Sequence, residues 1–250
     1  DPWVWSLLRV AIGFCMSGIY VAAESWLNAA ATNETRGKVL SAYMIAQTLG
    51  IIGAQGLLIL GDAGTSVLFI CASILVSISF APILLSATPV PAVEVARPMP
   101  LRHLFTGSPL GTVGILLLGS IYATQLGMGA VFGTQIGLTN NQIALFIAML
   151  FSGALVLQYP IGWLSDRMDR RILIFGLSLL GAASCLLGWT TGGGLWPLMA
   201  ATFFAGGVTP PLYALLLAFT NDALSAADMP AASGGLVFTF GLGAIAGPLV

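Results

Sequence analysis

Charge is what this chain has least of. Its 250 residues include 8 basic and 9 acidic side chains, a 7% share against roughly 25% in soluble domains. That scarcity excludes an ordinary soluble domain, because long apolar runs without polar faces would have nowhere to go in water. Histidine occurs once, as His103, so there is no second imidazole with which to build a metal site, and none is expected. Cys15, Cys71 and Cys185 lie inside apolar runs without disulfide or metal spacing, and so count as small packing residues. No buried carboxylate pair, Ser/His/Asp set or glycine-rich phosphate loop is present. Enzymatic catalysis, a bound cofactor and ATP-driven pumping within this chain are therefore not expected, nor is a nucleic-acid partner. The chain also lacks an initiator Met and any basic leader before its first apolar run, so an internal fragment of a longer membrane protein is expected.

What is present is apolar length. The hydrophobic share is 58% and the mean hydropathy +0.98. Eight stretches could cross a hydrocarbon core of ~30 Å at ~1.5 Å per residue. They lie near Val4–Ala23, Val39–Leu60, Val67–Leu85, Leu110–Gly129, Ile143–Leu164, Ile172–Trp189, Leu195–Phe219 and Ala231–Val250. The fold class expected is an all-α, polytopic helical bundle embedded in a lipid bilayer. Arg36 and Lys38 follow the first span, Arg97 and Arg102 the third, and Arg167, Arg170 and Arg171 the fifth. The alternate connections, near Gly61–Thr65, Val131–Asn140 and Thr190–Gly194, contain no Lys or Arg. Basic loops stay cytoplasmic, which places the basic set inside, the bare set outside, and the protein in the inner (cytoplasmic) membrane.

Ser86–Pro109 is the one long polar connection; its prolines deny it a continuous helix. It separates residues 1–85, with three spans, from residues 110–250, with five. Glycines concentrate inside spans, notably Gly50, Gly53 and Gly56, then Gly241, Gly243 and Gly247-Pro248. In lipid such small residues let helix backbones approach closely. Thr209-Pro210-Pro211 must interrupt the hydrogen-bond ladder of its span, so a kink is expected there.

The densest cluster of charge is Gly162–Arg171, G-W-L-S-D-R-M-D-R-R, a hinge between two apolar spans. It resembles the signature loop of the major facilitator superfamily, roughly G-x-L-[SA]-D-[RK]-x-G-R-[RK]. Gly162, Leu164, Ser165, Asp166, Arg167, Arg170 and Arg171 match; Asp169 stands where the family usually has Gly. Leu8-Arg9 through Gly18 is similar to the Arg-containing fourth helix of that family, and Gly50, Gly53 and Gly56 to its glycine-rich fifth. The resemblance implies helices four to eleven of a twelve-helix protein, with Ser86–Pro109 as the link between its two halves. It implies a secondary active transporter of an unidentified small molecule, monomeric, working by alternating access. Proton-coupled efflux is the family-weighted form. The loop would then be a cytoplasmic latch, with Gly162, Asp166, Arg167, Arg170 and Arg171 making the contacts that hold one state. Glu24 and Arg36 would be gate partners at the same side.

Polar side chains inside spans are few, and each could be either a cavity residue or a helix-to-helix hydrogen bond. Arg9, one turn from the outer interface after Trp3 and Trp5, either snorkels outward or serves as a charged cavity residue. Tyr122, Gln125 and Gly129 share one helix face by their spacing. Gln47 and Gln55 lie ~80° apart on theirs, Gln158 nears the inner end of its span, and Tyr213 follows Pro210-Pro211. These are the substrate-cavity candidates. The rival function is a membrane sensor or scaffold that kept the fold without transport.

Overall fold

The computed structural model describes residues 2–30, 36–61, 64–85, 100–165, 167–190, 194–222 and 229–249. Among these, every regular element is helical: α1 (Pro2–Ala30), α2 (Arg36–Leu60), α3 (Val67–Leu85), α4 (Leu101–Gly107), α5 (Pro109–Gln135), α6 (Asn140–Ser165), α7 (Arg170–Thr190), α8 (Leu195–Asp222) and α9 (Met229–Ala246). A 3₁₀ turn, Gly247–Leu249, follows. Seven of these helices are long and apolar enough to cross a membrane. The eighth expected span, α3, has the expected bounds and 19 residues, about 28 Å of helix at ~1.5 Å per residue, with Val67–Pro82 as its described apolar stretch.

The chain divides into two compact units, residues 1–47 with 71–95 and residues 48–70 with 96–250. In the first, no described side chain of α1 is buried. The second holds the core: α8 packs on α6, α7 and α5, and α5 packs on α9. Leu104, Ile115, Leu216 and Leu236 are fully enclosed towards one end of these helices. Phe146, Leu198 and Met199 pack at the other.

Glycine sets how closely these helices meet. A Cβ at Gly153 on α6 would overlap the carbonyl oxygen of Phe203 on α8, and one at Gly206 would strike the Leu150 backbone. The α5–α9 seam repeats the pattern. Gly119 lies against the Phe240 carbonyl, Gly243 against that of Leu116, and Gly247 against that of Ser120. Such contacts maximise dispersion between backbones where lipid removes any hydrophobic drive. Gly50, Gly53 and Gly56 behave differently: no described atom comes within 4 Å of a Cβ built there.

Pro210 and Pro211 lie inside α8, which runs helical through them, so the expected interruption does not end the helix. A proline ring crowds the carbonyl four residues back, and here those residues are Gly206 and Gly207, the least bulky available.

Helix ends follow local chemistry. Helix α5 closes in a Schellman motif: Gly137 adopts φ +80°, the Leu138 N–H donates to Gly133 O and the Gly137 N–H to Thr134 O. Two residues on, Thr139 and Gln142 form a reciprocal capping box that starts α6: the Thr139 N–H donates to Gln142 Oε1 at 2.9 Å and the Gln142 N–H to Thr139 Oγ1 at 3.4 Å. Within the proline-rich connection the structure adds α4. It stops at Ser108, whose ψ of 81° reflects the restriction that Pro109 imposes on the residue before it. The Ser108 hydroxyl then pairs with Thr220 Oγ1 at 3.2 Å, tying the start of α5 to the end of α8.

Gly153→Val should lower the melting temperature of the detergent-solubilised protein, by the equivalent of ~1–3 kcal/mol for overpacking. Gly162→Ala, at a site with nothing within 4 Å among the described residues, should leave it unchanged. Equal melting of the two variants would refute the close α6–α8 crossing.

Candidate functional site

Two features of the second unit combine polar chemistry with position: a cluster halfway along the spans and a charged end. The cluster forms where α5, α8 and α9 meet near their midpoints. Gln125 on α5 donates through Nε2 to the carbonyl of Ala205 at 3.4 Å. Thr209 Oγ1 lies 3.4 Å from Gln125 Oε1 and 3.0 Å from Ala205 O. Phe240 on α9 is flanked by Tyr122, centroids 5.7 Å apart, and by Tyr213, edge-on at 5.5 Å. Tyr122, Gln125, Tyr213 and Phe240 are half-buried, and Thr209 is buried. The structure therefore brings three of the cavity candidates together: Tyr122, Gln125 and Tyr213. It also shows that the shared face of α5 is a packing face, since Gly129 is buried beside the Phe146 ring of α6.

The other candidates are placed apart. Arg9 stacks its guanidinium 4.6 Å over the Trp5 ring, one turn towards the helix N-terminus, the direction in which snorkelling would carry it. Gln47 donates to the Tyr43 hydroxyl at 3.4 Å within α2. Gln55 is half-buried and Gln158 exposed. Asp166 and the side chains of Glu24 and Arg36 lie outside the described residues.

The charged end gathers the start of α7 and the ends of α6 and α8. Arg167 folds back over the Trp163 ring, 3.9 Å from its centroid, and donates through Nη1 to the Trp163 carbonyl at 3.1 Å. A cation there complements the carbonyl end of α6. Asp169 accepts the Arg171 N–H at 2.8 Å and so caps α7. Arg171 stacks over Phe219 at 5.4 Å, and Arg170 forms an ion pair with Asp222 at the end of α8. Asp169, Arg170, Arg171, Phe219 and Asp222, with Ser165 and Met168, line an open groove of about 400 Å³.

Several of these partners had no place among the sequence candidates. Asp222 had a usable signal, as an acid at the end of an apolar span. Thr209 was noted only for its prolines. Phe240 had none, being one aromatic among many apolar neighbours.

Residues 110–250, more than half of the chain, match the family model described as Major Facilitator Superfamily. The chain belongs to the major facilitator superfamily. An uncharacterized MFS-type transporter of Yersinia enterocolitica is 28% identical over 260 residues, covering 99% of this chain and 64% of that protein. The uncharacterized MFS-type transporter YfkF of Bacillus subtilis is 25% identical, with coverage of 99% and 64%. For YcaD of Escherichia fergusonii, also named an uncharacterized MFS-type transporter, the values are 25%, 98% and 64%. The chain thus spans 64% of the length of these curated relatives. No solved structure matches it. In this major facilitator chain Asp169 stands where the family usually has Gly, and neither it nor any other described residue of its loop has positive φ. The turn needs no left-handed residue at Asp169, which supplies a cap instead.

Because Arg170 is 32% and Asp222 60% exposed, their pair is solvent-screened, and a double-mutant cycle with Arg170→Ala and Asp222→Ala should give a coupling of ~0.2–1 kcal/mol. A coupling of zero in melts at low salt would show that the ion pair does not tie α7 to α8.

Proposed function

We propose that this chain belongs to a secondary active transporter that moves a small molecule across the inner membrane by alternating access. The observation that carries the reading is the mid-span cluster of Gln125, Thr209, Tyr122 and Tyr213, on helices that are otherwise largely apolar there. A site halfway across the bilayer can be opened to either side by modest rocking of helices, and polar groups are kept there at a cost that function offsets. Family membership and relatives named as transporters support the same reading. Efflux in exchange for protons is the form the resemblance favours. The test is movement of radiolabelled compounds by the intact protein in proteoliposomes, with and without an imposed pH gradient. Accumulation that collapses with the gradient is the expected outcome. Ligand binding without movement of any compound would instead favour a sensor that has lost transport.

Orientation follows from the separation of charge. Arg102, His103, Arg167, Arg170 and Arg171 border one end of α5–α8, whereas the opposite connections, 136–139 and 191–194, carry no charged residue. Cysteines placed at His103 or Arg170 should react with impermeant maleimides only from the cytoplasmic side, and one at Gly193 only from outside. Labelling of Arg170 and Gly193 positions from the same side would overturn this topology.

The charged loop is proposed as the latch of the cytoplasmic-closed state. Asp166→Asn should raise the reactivity of a cysteine probe on the cytoplasmic side of the cavity while leaving expression unchanged. A differential of ~1.4 kcal/mol would shift the state ratio tenfold, and solvent screening would reduce it. Unchanged reactivity with native transport would leave the loop a topological determinant only.

A further inference from the structure

Halfway along the spans, the polar contacts that Ser120 and Gln125 make to other helices differ in quality. Ser120 Oγ on α5 lies 2.9 Å from the Gly243 carbonyl of α9, near the ~2.7–3.0 Å optimum, in the seam where Gly243 and Gly247 bring the backbones together. Both contacts of the Gln125 amide are 3.4 Å long, at the weak limit of hydrogen bonding. They also compete for partners. The Thr209 hydroxyl has a single proton, and its shorter contact is with Ala205 O at 3.0 Å rather than with Gln125 Oε1. When Thr209 donates to Ala205, the carbonyl oxygen of Gln125 is left without that donor. A half-buried amide held so loosely gains from any ligand that brings an N–H or O–H.

The surroundings restrict the ligand further. From Leu104 onward the charged side chains are Asp166, Arg167, Asp169, Arg170, Arg171, Asp222 and Asp228, all at helix ends or connections. Among the described residues, α5 and α9 carry no charged side chain, and the one on α8, Asp222, lies at its end. An anionic group placed at the mid-span cluster would leave water with no countercharge from these helices. A cation would have only the rings of Tyr122, Tyr213 and Phe240, whose attraction offsets part of the cost of dehydration. Neutral aromatic groups lose least on entry and gain ring contacts with the same three side chains.

We propose that Gln125, with Phe240 and its two flanking tyrosines, recognises a neutral substrate that carries an aromatic ring and a hydrogen-bond donor. This rests on the reading of the mid-span cluster as the substrate site and names the class of molecule it accepts. The donor of the ligand bonds to Gln125 Oε1, and its ring packs on the Phe240 cluster.

The test is a thermal-shift screen of the intact, purified protein against size-matched sets of neutral aromatic amides and alcohols, aromatic carboxylates, aromatic ammonium ions and non-aromatic amides. Stabilising compounds should concentrate in the first set. Their apparent affinity, measured by titration, should fall roughly fivefold or more in Gln125→Leu and in Phe240→Leu, and stay unchanged in Ser120→Ala. The Ser120 variant reports the effect of loosening the helix seam alone. Hits drawn mainly from the charged or non-aromatic sets, no hit in the first set, or affinity that survives both Gln125→Leu and Phe240→Leu would each overturn the proposal. Failure of transport is read separately: if neutral aromatic hits bind through Gln125 but are not moved in proteoliposomes, the recognition stands and the transporter reading falls. If a charged compound is moved, the reverse holds.

Discussion

Close backbone approach at glycine is the constraint on which the second unit depends. Lipid tails are as apolar as the side chains they meet, so helices gain little by hiding leucine from them. What remains is dispersion, which falls off within fractions of an ångström, and so the helices must come very near. Gly153 and Gly206 allow this at the α6–α8 crossing, and Gly119, Gly243 and Gly247 at the α5–α9 seam. One side chain larger than hydrogen at these places would push carbonyl groups apart. The same crossing tolerates Pro210 and Pro211, because the residues their rings crowd are again glycines.

Packing this close leaves little room for polar side chains, and those that remain divide by geometry. Ser120 returns its proton to backbone oxygens of α5 and α9. Ser178, Ser184, Thr202 and Thr220 likewise bond back to the carbonyl four residues earlier. These hydroxyls are silent in lipid because each finds a backbone carbonyl within its own turn, to which Ser120 adds one on α9. Gln125 is too long for that solution and must reach another helix, where it finds partners at the limit of hydrogen bonding. A polar group that packing does not fully satisfy is costly in a membrane, which is why function is the natural account of it.

Helix existence and most of the span positions were legible in the sequence, because twenty apolar residues in a row admit one solution in lipid. The signature loop and the separation of charge were legible for the same reason: charge cannot lie elsewhere. The facing of each helix was not. In water an amphipathic stripe announces the core side, but α5, α8 and α9 are apolar all round, so periodicity carries no direction. Hence Tyr122, Gln125 and Tyr213 could be picked as polar exceptions, whereas Phe240, which joins two of them, could not. Helix α4 was missed because seven residues among prolines give too short a pattern, although Leu104 within it is fully buried. The ends of α5 and α6 were readable in principle from Gly137 and from T-N-N-Q at Thr139–Gln142.

Asp169 shows how a departure from a family pattern is to be weighed. Where a loop needs a left-handed residue, replacing Gly costs roughly 1–2 kcal/mol. Here the conformation makes no such demand, and the carboxylate instead accepts an N–H at the start of α7, a contribution of about 1 kcal/mol for a good cap. Capping also fixes where α7 begins, and with it the direction in which Arg170 and Arg171 leave the helix. They go to Asp222 and to the face of Phe219, both on the last turns of α8. The charged loop is thus fastened to the same helix that, half its length away, carries Thr209 and Tyr213. The mid-span cluster and the charged loop share one element, α8, through which a displacement at either would bear on the other.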